Sequence, residues 1–443
     1  MIAEVRSTRD WLVERIQTGQ ARVAVIGMGR VGLPFAVDAA KAGLRVIGID
    51  HDAVRVAQLA QGSNYLRQVD DRDVIDVVSD ERLHVTSSME SLSECDVIVV
   101  CIPSPLDHAK TPDFGPVRKV CEEITTRLRP GQLVVLENGT YPGLTNDVLL
   151  PALGGSPLIL GHDYFVAIAP ERADPGNARF RVANTARIVA GVTAECGAVA
   201  ACFYKRFASS VIELDDPRVA ELCKVFENTF RAVNIALVNE LAILCDRLAI
   251  NVWDVIDAAN TKPFGMMRFD PGPGVGGSGV PDDAHYLSWV ARKHHASSHL
   301  LDAAGDVNAA MPTFVCDKVM RALNGAGKAL RGSTILIIGI AYKRNVADTF
   351  ASPALNIFTA LERQGAMILY HDPLIPSIGR EDGSRRVSAP LDDDLLSSAD
   401  CTVIVSDHDG IDWEHVVRAS QIVVDTRNAT RTVTTGRERI VLL

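Results

Sequence analysis

The stretch RVAVIGMGRVGLPFAVDAAKAG, residues 22–43, constrains the fold more than any other part of the chain. A short apolar run ending in glycine reads as a buried strand, and LPFAVDAAKAG after it reads as a helix ended by Gly43. Gly27, Gly29 and Gly32 lie between them. The first permits a tight turn, the second lets the backbone approach a pyrophosphate, and the third lets the helix pack on the sheet with its positive end toward the phosphates. RVIGID (45–50) is the next strand, and Asp50 closes it 23 residues after Gly27, where a ribose-binding acid belongs. A carboxylate there accepts from a ribose 2′-hydroxyl and repels a 2′-phosphate, so the expected cofactor is NAD rather than NADP. The alternative is a fold of the same kind that no longer binds a dinucleotide. Arg30 and Val31 in the turn, and Pro103 and Ser104 after a later strand, complete the candidate cofactor contacts.

Strands and helices alternate through the first half: DVIVVCIP (96–103), QLVVLENGT (132–140) and YFVAIAP (164–170) are further buried strands. That alternation implies a doubly wound parallel sheet. From about Pro217 to Ala259 the pattern becomes helical, with Leu222, Val225, Phe226, Thr229, Val233, Ala236, Leu237 and Leu241 at helical spacing. A helix this long crosses between domains or pairs with a copy of itself. A glycine-proline loop, PGPGVGGSGVPDD (271–283), comes next, then more helix to about residue 324. STILIIGIAY (333–342), AMILYHDP (366–373), CTVIVSD (401–407) and QIVVDTRN (421–428) form a second α/β unit. The expected fold is α/β: two Rossmann-like doubly wound parallel sheets joined by a central helical dimerisation domain with one long helix. The expected domains are 1–212, binding NAD; 213–325, helical; and 326–443, Rossmann-like.

A net charge of −10 argues against nucleic-acid binding, which needs clustered Lys and Arg. No apolar run reaches the ~20 residues that span a bilayer, and the N-terminus lacks a signal-peptide core; it reads as a short helix with Trp11, Leu12 and Ile16 on one face. Nine scattered cysteines without a C-x-x-C pair read as reduced cytosolic thiols, which places the protein in the cytoplasm with neither disulfides nor a metal site. SDHDG (406–410) reads as a solvated loop, and His294–His295 as part of a polar helix face.

Lys224, Asn228 and Arg231 share one face of the long helix. A Lys and an Asn on an otherwise apolar helix suit stabilisation of a developing alkoxide, or else they form a solvated face. Glu171, Arg172 and Asp174 in APERADPG follow a strand end, where α/β sites collect; the alternative is a turn with a surface ion pair.

Taken together, GMGRVGLP, LENGTYPGLT, PERADPGN, FENTFRAVNIALVNELAILCDRL, TKPFGMM, FDPGPGVGG, GIAYKRNVADTFASPAL and VVDTRN resemble the UDP-glucose/GDP-mannose dehydrogenase family. The likeness is greatest to its UDP-N-acetylglucosamine and UDP-N-acetylmannosamine 6-dehydrogenase branch, over nearly the whole chain. It implies a nucleotide-sugar substrate, two NAD per C6 alcohol taken to carboxylate, and a homodimer or larger homo-oligomer. It implies that Thr140 helps hold a catalytic water, Lys224 and Asn228 face the oxyanion, and Asp283 works with the water as base. Glu171 and Arg172 would border the sugar, and Arg55 the adenosine side of NAD. The loop from Phe269 to Gly277, including Gly276 and Gly277, would wrap the sugar nucleotide, and Lys343 would face its phosphates.

Three departures matter. Gly279 stands where the family carries its catalytic cysteine, with Ser278 before it in place of an aromatic or histidine. Phe350 and Ala351 replace an arginine and a glutamate. Gly139 replaces a Ser or Thr. Asp283, Lys224 and NAD suffice for alcohol-to-aldehyde oxidation, whereas the second oxidation normally needs the thiol as covalent nucleophile. The expected activity therefore stops at the C6 aldehyde. Slow oxidation of the hydrated aldehyde to the acid, a redox-neutral epimerase with bound NAD, and a non-catalytic NAD or sugar-nucleotide binding protein are the alternatives.

Overall fold

All four residues of Val97–Val100 are buried, as are all five of Gln132–Leu136 and of Tyr164–Ile168. Strands buried on both faces, each mostly apolar, belong to a sheet covered by helices on both sides. The computed structural model of the chain describes residues 7–443 apart from 106, 108–110, 138–140, 173, 175–183, 278 and 380–382. It divides into two compact units, residues 1–227 and 228–443.

The first unit holds an eight-stranded sheet: β1 (Arg22–Ile26), β2 (Arg45–Ile49), β3 (Leu83–Thr86), β4 (Val97–Val100), β5 (Gln132–Leu136), β6 (Tyr164–Ile168), β7 (Arg187–Gly191) and β8 (Val211–Leu214). Their spatial order is β3-β2-β1-β4-β5-β6-β7-β8, with the topological reversal at β1, where α/β sheets open a ligand crevice. The pairing is parallel throughout except β6 with β7, which is antiparallel; the wholly parallel expectation fails there, at a strand whose sequence, RIVAG, is too short to disclose its direction. The helix Thr8–Gln17 is capped by Ser7 and buries Leu12 and Ile16, and Trp11 packs against the same core.

The helix Pro217–Leu248 is 32 residues long and carries the boundary between the units. Ala249 adopts the left-handed conformation (φ 53) and ends it. Asn251 then caps a separate helix, Val252–Ala259, by accepting from the Trp253 N–H. The tract expected to run helical to Ala259 is thus two helices.

The second unit adds the helices Val280–Lys293 and His299–Gly325. Its strands are β9 (Thr334–Ile338), β10 (Met367–His371), β11 (Ser377–Gly379), β12 (Arg385–Val387), β13 (Cys401–Ile404), β14 (Val423–Asp425) and β15 (Ile440–Leu442). Five form a parallel sheet in the order β10-β9-β13-β14-β15, and β11 and β12 form an antiparallel hairpin. Each sheet places a glycine after its first strand in sequence and an aspartate after the next: Gly27 and Asp50 in one, Gly339 and Asp372 in the other.

Candidate functional site

The glycine turn after β1 is built as the spacing requires. Gly27 has φ +92, and a Cβ there would lie 2.7 Å from the Cys101 carbonyl oxygen. A Cβ on Gly32 would lie 1.9 Å from the Gly27 carbonyl oxygen, so the helix Gly32–Lys41 sits against the turn only because that side chain is missing. A Cβ on Gly29 would meet nothing within 4 Å. Two glycines therefore serve the chain's own packing, and the third leaves backbone open to a ligand at a helix N-terminus.

Asp50 is buried and accepts from the Met28 N–H at Oδ2 and the Asp52 N–H at Oδ1, both at 2.9 Å. Arg55 lies 3.5 Å from Asp50 and over the Tyr65 ring, and the Tyr65 hydroxyl donates to the Met28 carbonyl. Arg30 and Pro103 are exposed, Val31 is half-buried and Ser104 is buried. An open glycine edge, a helix N-terminus and a fixed acid at the end of the neighbouring strand fit a dinucleotide carrying a free ribose 2′-hydroxyl. Tyr65 escaped the sequence reading because GSNYLRQ has no periodicity to mark it.

The equivalent acid of the second sheet is not available in this way. Asp372 accepts from the N–H groups of Ile340, Ala341, Leu374 and Ile375, and lies 3.2 Å from His408 Nε2. His408 Nδ1 accepts from the Asn345 N–H at 3.0 Å, so its Nε2 carries the proton toward Asp372. Ser406 and His408 are each 1% exposed. The expectation of a solvated loop at 406–410 is corrected: the imidazole ties two strand-end loops together, a role that sequence spacing does not reveal. His294 and His295 are corrected likewise, since they terminate the helix Val280–Lys293, with His295 left-handed at φ 56.

Glu171 and Arg172 have separate partners. Glu171 lies 2.9 Å from Arg187, which also binds Glu137 at 2.9 Å; the Tyr204 hydroxyl donates to Glu137 at 2.6 Å. Arg187 and Glu137 are essentially inaccessible, so this is a buried network rather than the surface pair that the sequence also allowed. Burial pushes the Glu137 carboxyl up to about 7, against the opposing pull of Arg187. Arg172 binds Glu227 of the long helix at 2.6 Å, and Asp174 is half-buried. Glu137, Arg187 and Tyr204 escaped the sequence reading because each sits inside an apolar strand or helix pattern.

On the long helix, Lys224 is half-buried, Asn228 buried and Arg231 exposed. Asn228 Nδ2 donates to Asp283 Oδ2 at 2.6 Å, and both residues are at most 6% exposed. Gly279 is the N-cap of the helix Val280–Lys293, at φ −112 and ψ −64. A Cβ on Gly279 would lie 3.0 Å from Asn228 Nδ2. Asn228, Gly279 and Asp283 thus converge in space from two stretches of sequence, with Lys224 one helical turn before Asn228. Burial pushes Asp282, beside Asp283, up to about 6. Thr140, with Gly139 and Ser278, lies outside the described residues.

Gly276 and Gly277 pack on the chain itself: a Cβ on Gly276 would lie 2.8 Å from the Ala351 carbonyl oxygen, and one on Gly277 would lie 2.9 Å from the Tyr342 ring. The Gly277 N–H donates to the Phe350 carbonyl at 3.0 Å. Phe350 and Ala351 therefore form the wall on which this loop rests, with Phe350 47% exposed and Ala351 left-handed at φ 50. Phe269 meets Phe230 at 5.9 Å between ring centroids, and Lys343 is half-buried. Beside them a cavity of about 360 Å³ is lined by Arg268, Arg344, Arg427 and Arg431, by Asp270 and Asp407, and by Trp253 and Trp413. Among the described residues no cluster of three potential metal ligands occurs, and no helix is long and apolar enough to cross a membrane.

Three family models match: the NAD binding domain of the UDP-glucose/GDP-mannose dehydrogenase family over residues 21–208, its central domain over 218–310 and its UDP binding domain over 336–432. The UDP-N-acetyl-D-mannosamine dehydrogenase of Pyrococcus horikoshii is 32% identical over 415 residues, covering 92% of this chain and 95% of that protein. The UDP-N-acetyl-D-glucosamine 6-dehydrogenase of Pseudomonas aeruginosa is 32% identical over 356 residues, covering 80% and 83%. The solved structure of a UDP-N-acetylmannosamine dehydrogenase from Pyrococcus horikoshii superposes with a TM-score of 0.83 at 29% identity, covering 95% of this chain and 98% of that one.

Proposed function

The chain belongs to the UDP-glucose/GDP-mannose dehydrogenase family, and on that premise we propose that it oxidises the C6 alcohol of a UDP-linked hexose or N-acetylhexosamine and releases the aldehyde. The observation that carries this reading is Gly279: the position facing the Asn228–Asp283 pair bears no thiol.

Bound at the glycine turn, NAD would supply the hydride acceptor for C6. The glycine turn, Asp50 and Arg55 hold and orient it, with Arg30, Val31, Pro103 and Ser104 along its course. Asp283, aligned by Asn228, takes the hydroxyl proton through a water that Thr140 helps to hold. The Lys224 ammonium opposes the negative charge that grows on oxygen as that proton leaves. Glu171, paired with Arg187, lies at the edge of the sugar, and Arg172, fixed by Glu227, lies beside it. The arginine-lined cavity, Lys343, Arg231 and the loop from Phe269 to Gly277 take the nucleotide diphosphate. The residues divide among three working parts, 1–212, 213–325 and 326–443.

A second oxidation needs a tetrahedral C6 that still bears hydrogen, and a thiol makes one by adding to the aldehyde. Burial pushes the thiols of Cys95, Cys121 and Cys401 up to about 12, and Cys101 well above its ordinary value, so none of these is an activated nucleophile. Cys223 precedes Lys224 on the helix and points about 100° away from it.

The test is incubation with NAD and a panel of UDP-, GDP- and CDP-hexoses, with hydroxylamine present and products read by mass spectrometry. The C6 oxime of a UDP-sugar is expected. Carboxylate as the sole product would overturn the reading. An epimer formed without NADH would make the protein an epimerase, and thermal stabilisation by ligand without turnover would make it a binding protein.

The homo-oligomer rests on a different observation. Leu222, Phe226, Phe230, Leu237, Leu244 and Leu248 are all exposed on the long helix, and at ~100° per residue they fall within one stripe about 80° wide. A stripe of this kind is covered by a second copy of the same helix. Phe226 is 60% and Leu237 64% exposed, so the double substitution Phe226→Asp, Leu237→Asp leaves the monomer's core untouched. Sedimentation is expected to shift from dimer or larger to monomer, and an unchanged sedimentation coefficient would reject this interface. The free cysteines and the lack of a spanning helix among the described residues support a cytoplasmic setting.

A further inference from the structure

Glu221 is an acid with no exposed surface, and among the described residues no cation is paired with it. Its carboxylate is taken up by one loop. The Gly143 N–H donates to Oε2, while the Thr145 N–H and hydroxyl both donate to Oε1, at 2.8 and 2.7 Å. Burying an acid without a counter-charge is costly, and uncharged side chains of similar shape avoid that cost. What the charge adds is strength in all three hydrogen bonds. The loop has its own local structure: Gly143 has φ +115, the Tyr141 hydroxyl donates to Asp147 at 3.0 Å, and Thr145–Leu149 form a π-helical turn, an irregularity that recurs at functional sites.

The clamp joins two segments that the reaction needs together. Lys224 follows Glu221 by three residues, on the same face of the long helix. Thr140 precedes Gly143 by three residues in sequence. Resting on the oxidoreductase reading above, we propose that Glu221 is a positioning residue, holding the segment that begins at Gly143 against the first turns of the long helix so that Lys224, one turn on, keeps a fixed place.

The groups facing Glu221 are Asp147 and Tyr141 from the loop side and Arg218 one turn back on the helix. Burial raises the Glu221 carboxyl above its ordinary value, outweighing the three donors. Acidification through that raised value protonates the acceptor and loosens the clamp.

The experiment compares wild type, Glu221→Gln and Thr145→Val by turnover against pH and by amide hydrogen exchange over residues 141–149. Glu221→Gln is expected to lower kcat at neutral pH about tenfold or more, the scale of a lost charge-assisted bond, with KM for NAD unchanged. Thr145→Val, which removes one of the three bonds, is expected to lose less. The acid limb of the wild-type kcat profile is expected to lose the part set by Glu221 in Glu221→Gln and to keep only that of the Asp283 base, and the Gly143 and Thr145 amides to exchange faster. A lowered Tm with unchanged kcat and pH profile would reduce Glu221 to a structural residue and overturn the proposal. Unchanged exchange overturns it even if no sugar nucleotide is turned over, which keeps its failure separate from failure of the oxidoreductase reading.

Discussion

Gly279→Cys is expected to turn the enzyme from an aldehyde producer into a carboxylate producer. The backbone at 279, φ −112, is ordinary for a residue with a side chain, so the substitution introduces no left-handed strain. The new Cβ meets one neighbour, Asn228 Nδ2 at 3.0 Å, and otherwise open space. Asn228 must yield by a few tenths of an ångström, at the risk of lengthening its 2.6 Å bond to Asp283. Loss of a glycine N-cap costs about 1 kcal/mol at most. Against these small costs the thiol supplies the missing nucleophile, and carboxylate formation is expected to rise by ~10²-fold or more, the scale of a positioned catalytic group. Mass spectrometry of the sugar product decides it. A folded variant that still yields only aldehyde would move attention to Phe350 and Ala351, which form the wall behind the Gly276–Gly277 segment.

Asp283→Asn is expected to lower kcat by about 10²–10⁴-fold, the usual contribution of a general base. The amide keeps the volume of the carboxylate but cannot take a proton. Its effect on packing is confined, since Asp283 is 3% exposed and Asn228 can reorient its own amide to donate or accept. Binding of NAD is expected to be unaffected, because the glycine turn and Asp50 belong to the other compact unit. Pre-steady-state turnover with a UDP-hexose, alongside NAD titration, measures both quantities. A variant retaining more than about a tenth of wild-type kcat would remove Asp283 from the base role.

The dinucleotide turn was legible in sequence because its constraint is local: three glycines and one acid, at fixed spacing within thirty residues. The two parallel sheets were legible for the same reason, through apolar strands alternating with helical tracts. What escaped the sequence depends on residues far apart in the chain. The Glu137–Arg187–Glu171 network brings charges from three strand ends into the core, and nothing in RIVAG announces a buried arginine. The antiparallel β7, the His408–Asp372 tie and the Glu221 clamp share that character. Gly276 and Gly277 show the converse: the motif was visible, but its described contacts are with Tyr342 and Ala351, which only the folded unit brings together.

The most direct measurement of the central claim is the number of NADH formed per UDP-sugar consumed, with wild-type enzyme in a single vessel. Alcohol-to-aldehyde oxidation releases one NADH and one proton for each sugar, and that ratio is expected to hold until substrate is exhausted. A ratio of two, with the sugar recovered as its C6 carboxylate, would contradict it by showing that a site without a thiol at 279 still completes the second oxidation.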